Sequence, residues 1–223
     1  MTEKKRLYFV IGILLLILFI GLTIAVATFD VQPIGVEGTS VGFASLNKSF
    51  HELTGEHLSL YDLTDKLSLI PAFVLAAFAL IGLVQLIRRK SLLKVDSDIL
   101  VLGVFYIIVL AAYLLFEKLE LNYRPLLIEG QKEASYPSST TLLVVSVVAT
   151  AMLQFNTRIE KTALRTIVLI LSGIFGAAMI ICRLISGVHW LTDIIGGLIL
   201  GAALIFLYEA AVLHFRKTDS ARV

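Results

Sequence analysis

Five stretches of this chain carry no charged side chain for long enough to cross a lipid bilayer: Leu7–Phe29, Leu67–Ile87, Ile99–Phe116, Ser138–Asn156 and Thr166–Cys182. A sixth, Ile194–Tyr208, continues past Glu209 to about Leu213 and reaches the same length if its helix starts near Trp190. Crossing ~30 Å of hydrocarbon takes about 20 helical residues. The runs hold most of a 223-residue chain that is 58% hydrophobic and only 16% charged. A soluble bundle is excluded by the same pattern, because its helices keep one polar face. The expectation is an all-α fold: a single membrane domain over 1–223 with six transmembrane helices. The spans lie near 7–29, 67–87, 99–116, 138–156, 166–182 and 190–213, with an outer loop over 30–66. No linker, low-complexity tract or short internal repeat divides the chain.

The net charge of +2 says little, but its placement orients the bundle. Lys4, Lys5 and Arg6 precede the first run, and Arg88, Arg89, Lys90 and Lys94 join the second to the third. Arg158, Lys161 and Arg165 join the fourth to the fifth, and Arg216, Lys217 and Arg222 follow the sixth. Basic residues mark the cytoplasmic side, so both termini are expected inside a cell (plasma) membrane. The 30–66 loop, Glu117–Pro137 and Arg183–Asp193 then face the extracytoplasmic side. Ala25-Val26-Ala27 resembles a signal-peptidase site, but the preceding apolar run exceeds the ~7–15 residues of a signal core, so the span is expected to be retained. The single cysteine, Cys182, rules out an intramolecular disulfide.

Within the outer loop, Phe43, Leu46, Phe50 and Leu53 recur every three to four residues beside Asn47, Lys48, His51 and Glu52. That pattern predicts a helix lying in the membrane surface, either as a lid or lip that admits lipid or as a packing helix over the bundle end. Gly197 and Gly201, with Gly196 adjacent, form a small-xxx-small pair that lets helices approach closely, within the chain or across a homodimer.

Three outer segments carry chemistry. In Cys182–Asp193, His189 and Asp193 are four apart at a helix start, so their side chains share one face. A carboxylate on one imidazole nitrogen fixes the tautomer and frees the other as base or nucleophile. Arg183 lies just upstream, and ionisable groups at a membrane face are costly unless they serve a purpose. In Tyr136–Thr140, Pro137 suits a first helical turn, and Ser138, Ser139 and Thr140 place hydroxyls near free backbone N–H groups that attract phosphate. In Lys118–Pro125, Arg124 offers a planar fork for phosphate oxygens, with Lys118 and Lys132 nearby. The chain has no H-E-x-x-H, no Cys/His ligand set and no dense acidic cluster, so neither a catalytic metal nor a cofactor is expected.

In these segments the sequence resembles the type 2 phosphatidic acid phosphatase family, which shares its core with vanadium haloperoxidases. Arg183, His189 and Asp193 match that family's Ser-Arg-x5-His-x3-Asp signature at every functional spacing, with Cys182 in place of the serine. Arg124-Pro125 matches the end of Lys-x6-Arg-Pro, and Pro137-Ser138 the start of Pro-Ser-Gly-His. The resemblance covers roughly residues 60–210. It implies that His189 forms a phosphohistidine, that Asp193 orients it, and that Arg124, Arg183 and Ser138 bind phosphate. Two departures stand out. Glu117 occupies the lysine position of the first signature, with Lys118 one residue late. Thr140 replaces the second signature's histidine, the family's general acid, and Ser139 its glycine.

The expected activity is hydrolysis of a lipid phosphate at the outer leaflet; the partners are that lipid and the bilayer, not nucleic acid. A threonine is a poor proton source, whereas a phosphate leaving group, with a second pKa of about 6, departs unprotonated. A polyprenyl diphosphate is therefore favoured over phosphatidate or phosphatidylglycerol phosphate. His51, His57 and Glu133 are the other acids in the outer loops. The alternatives are a lipid phosphotransferase and a non-catalytic lipid-phosphate binder or transporter.

Overall fold

A chain in hydrocarbon must satisfy its backbone hydrogen bonds within each segment, so every apolar run closes into a helix. The computed structural model describes residues 3–220. In chain order the helices are α1 (Glu3–Thr28), α2 (Ala44–Thr54), α3 (Leu58–Leu67), α4 (Leu69–Arg89), α5 (Ser97–Leu119), α6 (Ser139–Arg158), α7 (Thr162–Ile185) and α8 (Leu191–Ser220). Six of the described segments are long and apolar enough to span a membrane, α3 and α4 counting as one. The protein is an all-helical, multi-pass membrane protein. Of the basic tail, the side chains of Arg216 and Lys217 and all of Arg222 lie outside the described residues.

The helix that carries the second span is longer than the charge-free run. It begins at Leu58, because α3 continues almost directly into α4 through Ser68. Asp62, Asp65 and Lys66 end the charge-free run without ending the helix, so part of the expected outer loop is helical. Helix α2 forms where the apolar stripe placed it, but the stripe is not its buried face. Asn47 is fully enclosed, while Leu46 and Leu53 are 48% and 82% exposed. The Asn47 amide donates to the Gly42 carbonyl (2.8 Å) and to Thr192 Oγ1 (3.0 Å), and its Oδ1 accepts from the Thr192 N–H (3.2 Å). These bonds hold α2 down on the first turn of α8, whose N–H groups need outside acceptors.

Helices α6 and α8 form the centre. Half of the most apolar window of α8 is enclosed (50%), against 11% for the span containing α4. Helix α8 packs most extensively along α1. The glycine face of α8 is used within the chain: a Cβ on Gly196 would meet Tyr136 at 2.8 Å, and one on Gly201 would meet Val145 of α6 at 2.8 Å. Close helix packing, not a dimer contact, accounts for those glycines. Tyr136 is wedged between α1 and α5. Its ring stacks on Phe19 at 6.2 Å and meets Phe116 edge-on at 6.1 Å, and its hydroxyl lies 3.0 Å from Thr23 Oγ1.

The bundle end away from α2 and α3 is tied by charge. Arg158, at the end of α6, reaches Asp98 Oδ2 (2.9 Å) and Asp96 Oδ2 (3.7 Å) at the start of α5. Arg89 of α4 also pairs with Asp96 (2.7 Å). Gln154 accepts from Arg158 Nε and donates to the Tyr208 hydroxyl of α8.

At the other end the chain after α1 turns back under itself, and Gly42 passes so near that a Cβ there would stand 1.7 Å from the Val26 carbonyl oxygen. The clash is with backbone and cannot be relieved by a rotamer. Gly42→Ala is expected to cost about 1–3 kcal/mol, as overpacking does, while Gly21→Ala, with open space around its Cβ, is expected to be neutral. Thermal unfolding of the two variants in one detergent checks the difference.

Candidate active site

The site forms where the turn between α7 and α8 meets the Glu120–Ser138 connection. Helix α7 ends at Ile185, and Gly187 (φ 76°) turns the chain into α8. Gly187 has a second reason to be glycine: a Cβ would lie 2.4 Å from the Gly55 carbonyl oxygen. The segment before α3 thus lies directly on this turn, with the His57 N–H donating to the Ser186 carbonyl (2.9 Å).

Asp193 sits in the first turn of α8, and its carboxylate closes that turn as an N-terminal acidic cap does. Oδ2 accepts from the Trp190 N–H (2.9 Å) and Oδ1 from Asn122 Nδ2 (3.4 Å). Its main-chain carbonyl accepts from the Ser138 N–H (2.9 Å), which joins the second outer segment to the third. His189 Nδ1 stands 3.5 Å from Asp193 Oδ2, looser than an ordinary hydrogen bond. Catalytic contacts are often long before substrate binds.

Both arginines of the sequence reading are here and nearly enclosed, Arg124 at 8% exposure and Arg183 at 2%, beside His189 at 3%. Arg124 is held through its backbone, its N–H donating to the Glu133 carbonyl (3.0 Å), and through Nη2, which pairs with Glu133 Oε2 (2.9 Å). Arg183 Nη1 donates to Thr64 Oγ1 (3.2 Å). Arg124 Nε and Nη1, Arg183 Nε and both ring nitrogens of His189 are buried, with no hydrogen-bond partner among the described residues. Burial lowers the His189 pKa well below its ordinary 6.5; the charges of Arg124 and Arg183 lower it further, against a smaller opposing pull from the Ser135 backbone. The field of both guanidiniums therefore reaches the ring, and the resting imidazole is neutral at neutral pH.

The other sequence candidates take several places. Ser138 is the N-cap of α6: its Oγ accepts from the Thr141 N–H (3.4 Å) and lies 3.0 Å from Thr141 Oγ1. Pro137 therefore precedes the cap instead of opening the first turn. Ser139 and Thr140 line a groove of about 820 Å³ between α4, α5 and α6, whose walls are mainly apolar. Lys118 is exposed on the last turn of α5, with no hydrogen bond or ion pair to the site residues; Glu117, not Lys118, lies near Ser135 and Ser139. Among the described residues no group of three or more His, Cys, Asp or Glu is placed to hold a metal ion. His51 lies against Trp190 (ring centroids 5.6 Å apart), with Nε2 3.5 Å from Glu56, and His57 caps α3, so neither is paired with His189 or an arginine.

Three residues at the site were not singled out in the sequence: Tyr61 and Thr64 come from α3, and Asn122 lies inside the first segment.

Residues 116–217 match the PAP2 superfamily. The matched stretch holds Arg124, Ser138, Arg183, His189 and Asp193 but not α2 or α3. The structure is similar to the crystal structure of the first transmembrane PAP2 type phosphatidylglycerolphosphate phosphatase from Bacillus subtilis. The TM-score is 0.58 at 21% identity, over 89% of this chain and 94% of the other, and the likeness is one of fold. No curated protein matches the chain.

Two outcomes are expected of this site. Asn122→Ala removes a buried donor to Asp193 and is expected to cost about 1–3 kcal/mol in the transition state, or about 5- to 160-fold in kcat; steady-state kinetics on the folded variant checks it. Since the depressed His189 pKa leaves the ring unprotonated until the pH falls well below 6.5, the acid limb of kcat/KM from this group is expected well below that value. The pH profile, corrected for the substrate's own ionisation near about 6, checks it.

Proposed function

We propose that this protein hydrolyses a lipid phosphate at the extracytoplasmic leaflet of the cell membrane, through a phosphohistidine on His189. The observation that carries the reading is the set of buried, unpartnered donors on Arg124 and Arg183, whose charges reach a neutral imidazole standing 3.5 Å from Asp193. Unsatisfied buried donors are costly, and a tetrahedral anion between them satisfies several at once. The basic junctions at the opposite end, Arg88–Lys90 and Arg158 among them, support an outward-facing site.

In this mechanism His189 Nε2 attacks phosphorus in line with the leaving oxygen. The Nδ1–H points at Asp193, which stabilises the imidazolium as it forms. Arg124 and Arg183 hold the equatorial oxygens, and their fixed charges are worth most in a site closed to water. Water then attacks the phosphohistidine and releases inorganic phosphate.

Thr140, facing the groove between helices, supports the finer reading. Without a histidine there, the favoured leaving group is one that needs no proton. A polyprenyl diphosphate supplies it: the bond between its two phosphorus atoms breaks, the terminal phosphoryl group goes to His189, and a lipid monophosphate departs.

The test is turnover by the purified protein on a panel of lipid mono- and diphosphates with EDTA present. The expected order places an isoprenoid diphosphate first. His189→Ala is expected to abolish turnover and the acid-labile phosphoenzyme, and Arg124→Ala and Arg183→Ala each to lower turnover by at least ~10²-fold. Much faster hydrolysis of phosphatidate overturns the diphosphate preference. Binding of lipid phosphates with no turnover in the wild type overturns the hydrolase and leaves a binder.

A further inference from the structure

Two cations that must receive one phosphate have to be held close together before it arrives. A carboxylate on each would neutralise them, but it would also occupy the N–H groups the phosphate needs. Arg124 shows part of that compromise, with Nη2 committed to Glu133. The other neutralising element is an aromatic face. The Tyr61 ring on α3 lies 4.8 Å from Arg183 Cζ and 5.7 Å from Arg124 Cζ, so both guanidiniums share one ring. A ring attracts a cation through its quadrupole and takes no N–H in doing so. Arg124 Nε and Nη1 and Arg183 Nε accordingly stay buried and unpartnered beside it.

We infer that Tyr61 is a positioning residue of the phosphate site, holding Arg124 and Arg183 together in the empty enzyme while leaving their donors free. The inference rests on the reading of those arginines as phosphate ligands. Thr64, one turn further along α3, accepts from Arg183 Nη1 and fixes that side chain from the same helix. Helix α3 is itself fixed to the α7–α8 turn by the His57-to-Ser186 bond and the close passage of Gly55 at Gly187. A helix outside the family-matched stretch thus completes the site. The ring face, not the hydroxyl, is the working part.

The experiment measures binding of inorganic phosphate to the purified full-length protein by calorimetry, alongside kcat and KM. Tyr61→Phe keeps the ring and is expected to bind phosphate within about twofold of wild type. Tyr61→Leu is expected to bind at least about tenfold more weakly, with KM raised more than kcat is lowered, at an unchanged unfolding temperature. Should Tyr61→Leu fail to fold, Tyr61→Met fills the space without a ring and gives the same comparison. Phosphate affinity equal to wild type in the ring-less variant overturns the inference, as does an equal loss in Tyr61→Phe or a wild type that binds no phosphate. A wild type that binds phosphate yet hydrolyses no lipid phosphate overturns the hydrolase reading alone, and the ring comparison still decides this one.

Discussion

Asp193 is buried completely, and the site is assembled by keeping it so. Its carboxylate closes the first turn of α8, accepts from Asn122 and lies beside His189, while its main-chain carbonyl receives the Ser138 N–H. One residue therefore joins three stretches of chain that are distant in sequence. A buried carboxylate is tolerable only with such partners, so the geometry around His189 and the folding of the helix end are the same set of bonds. Asp193→Asn changes both at once, and its effect on turnover cannot be assigned to the tautomer of His189 without a stability measurement beside it.

Much of this architecture is legible in the sequence because hydrocarbon imposes a simple rule. A charge-free run of sufficient length has one solution, and the six spans follow. Arg183, His189 and Asp193 were legible for a similar reason: helical spacing and adjacency place them together without knowledge of the tertiary fold. Where the reading stops is equally physical. Lys118 is exposed on the last turn of α5. Thr140 faces the groove because Ser138, not Pro137, sets the start of α6. Tyr61 and Thr64 reach Arg183 across more than a hundred residues, and no local period links them.

Helix α2 shows how polarity can mislead. Its apolar stripe marks a real helix, yet the side chain that seats it is Asn47, whose amide serves the α8 terminus, and the leucines of the stripe point away. In a chain whose outside is lipid, an exposed leucine is unremarkable and an enclosed amide is informative. The usual inside-outside assignment reverses near the membrane.

The two ends of the bundle are fastened by different means. Around Asp193 the ties are hydrogen bonds to main chain and amide, whereas at the far end Arg158 and Arg89 bridge α4, α5 and α6 through Asp96, which is partly solvated, and Asp98, which is nearly enclosed. Ions screen the pairs of Asp96 and hardly touch the enclosed bonds. Added salt therefore loosens the Asp96 pairs at the far rim and the part-exposed Glu133 carboxylate on Arg124, while leaving the enclosed bonds that seat Asp193 in register.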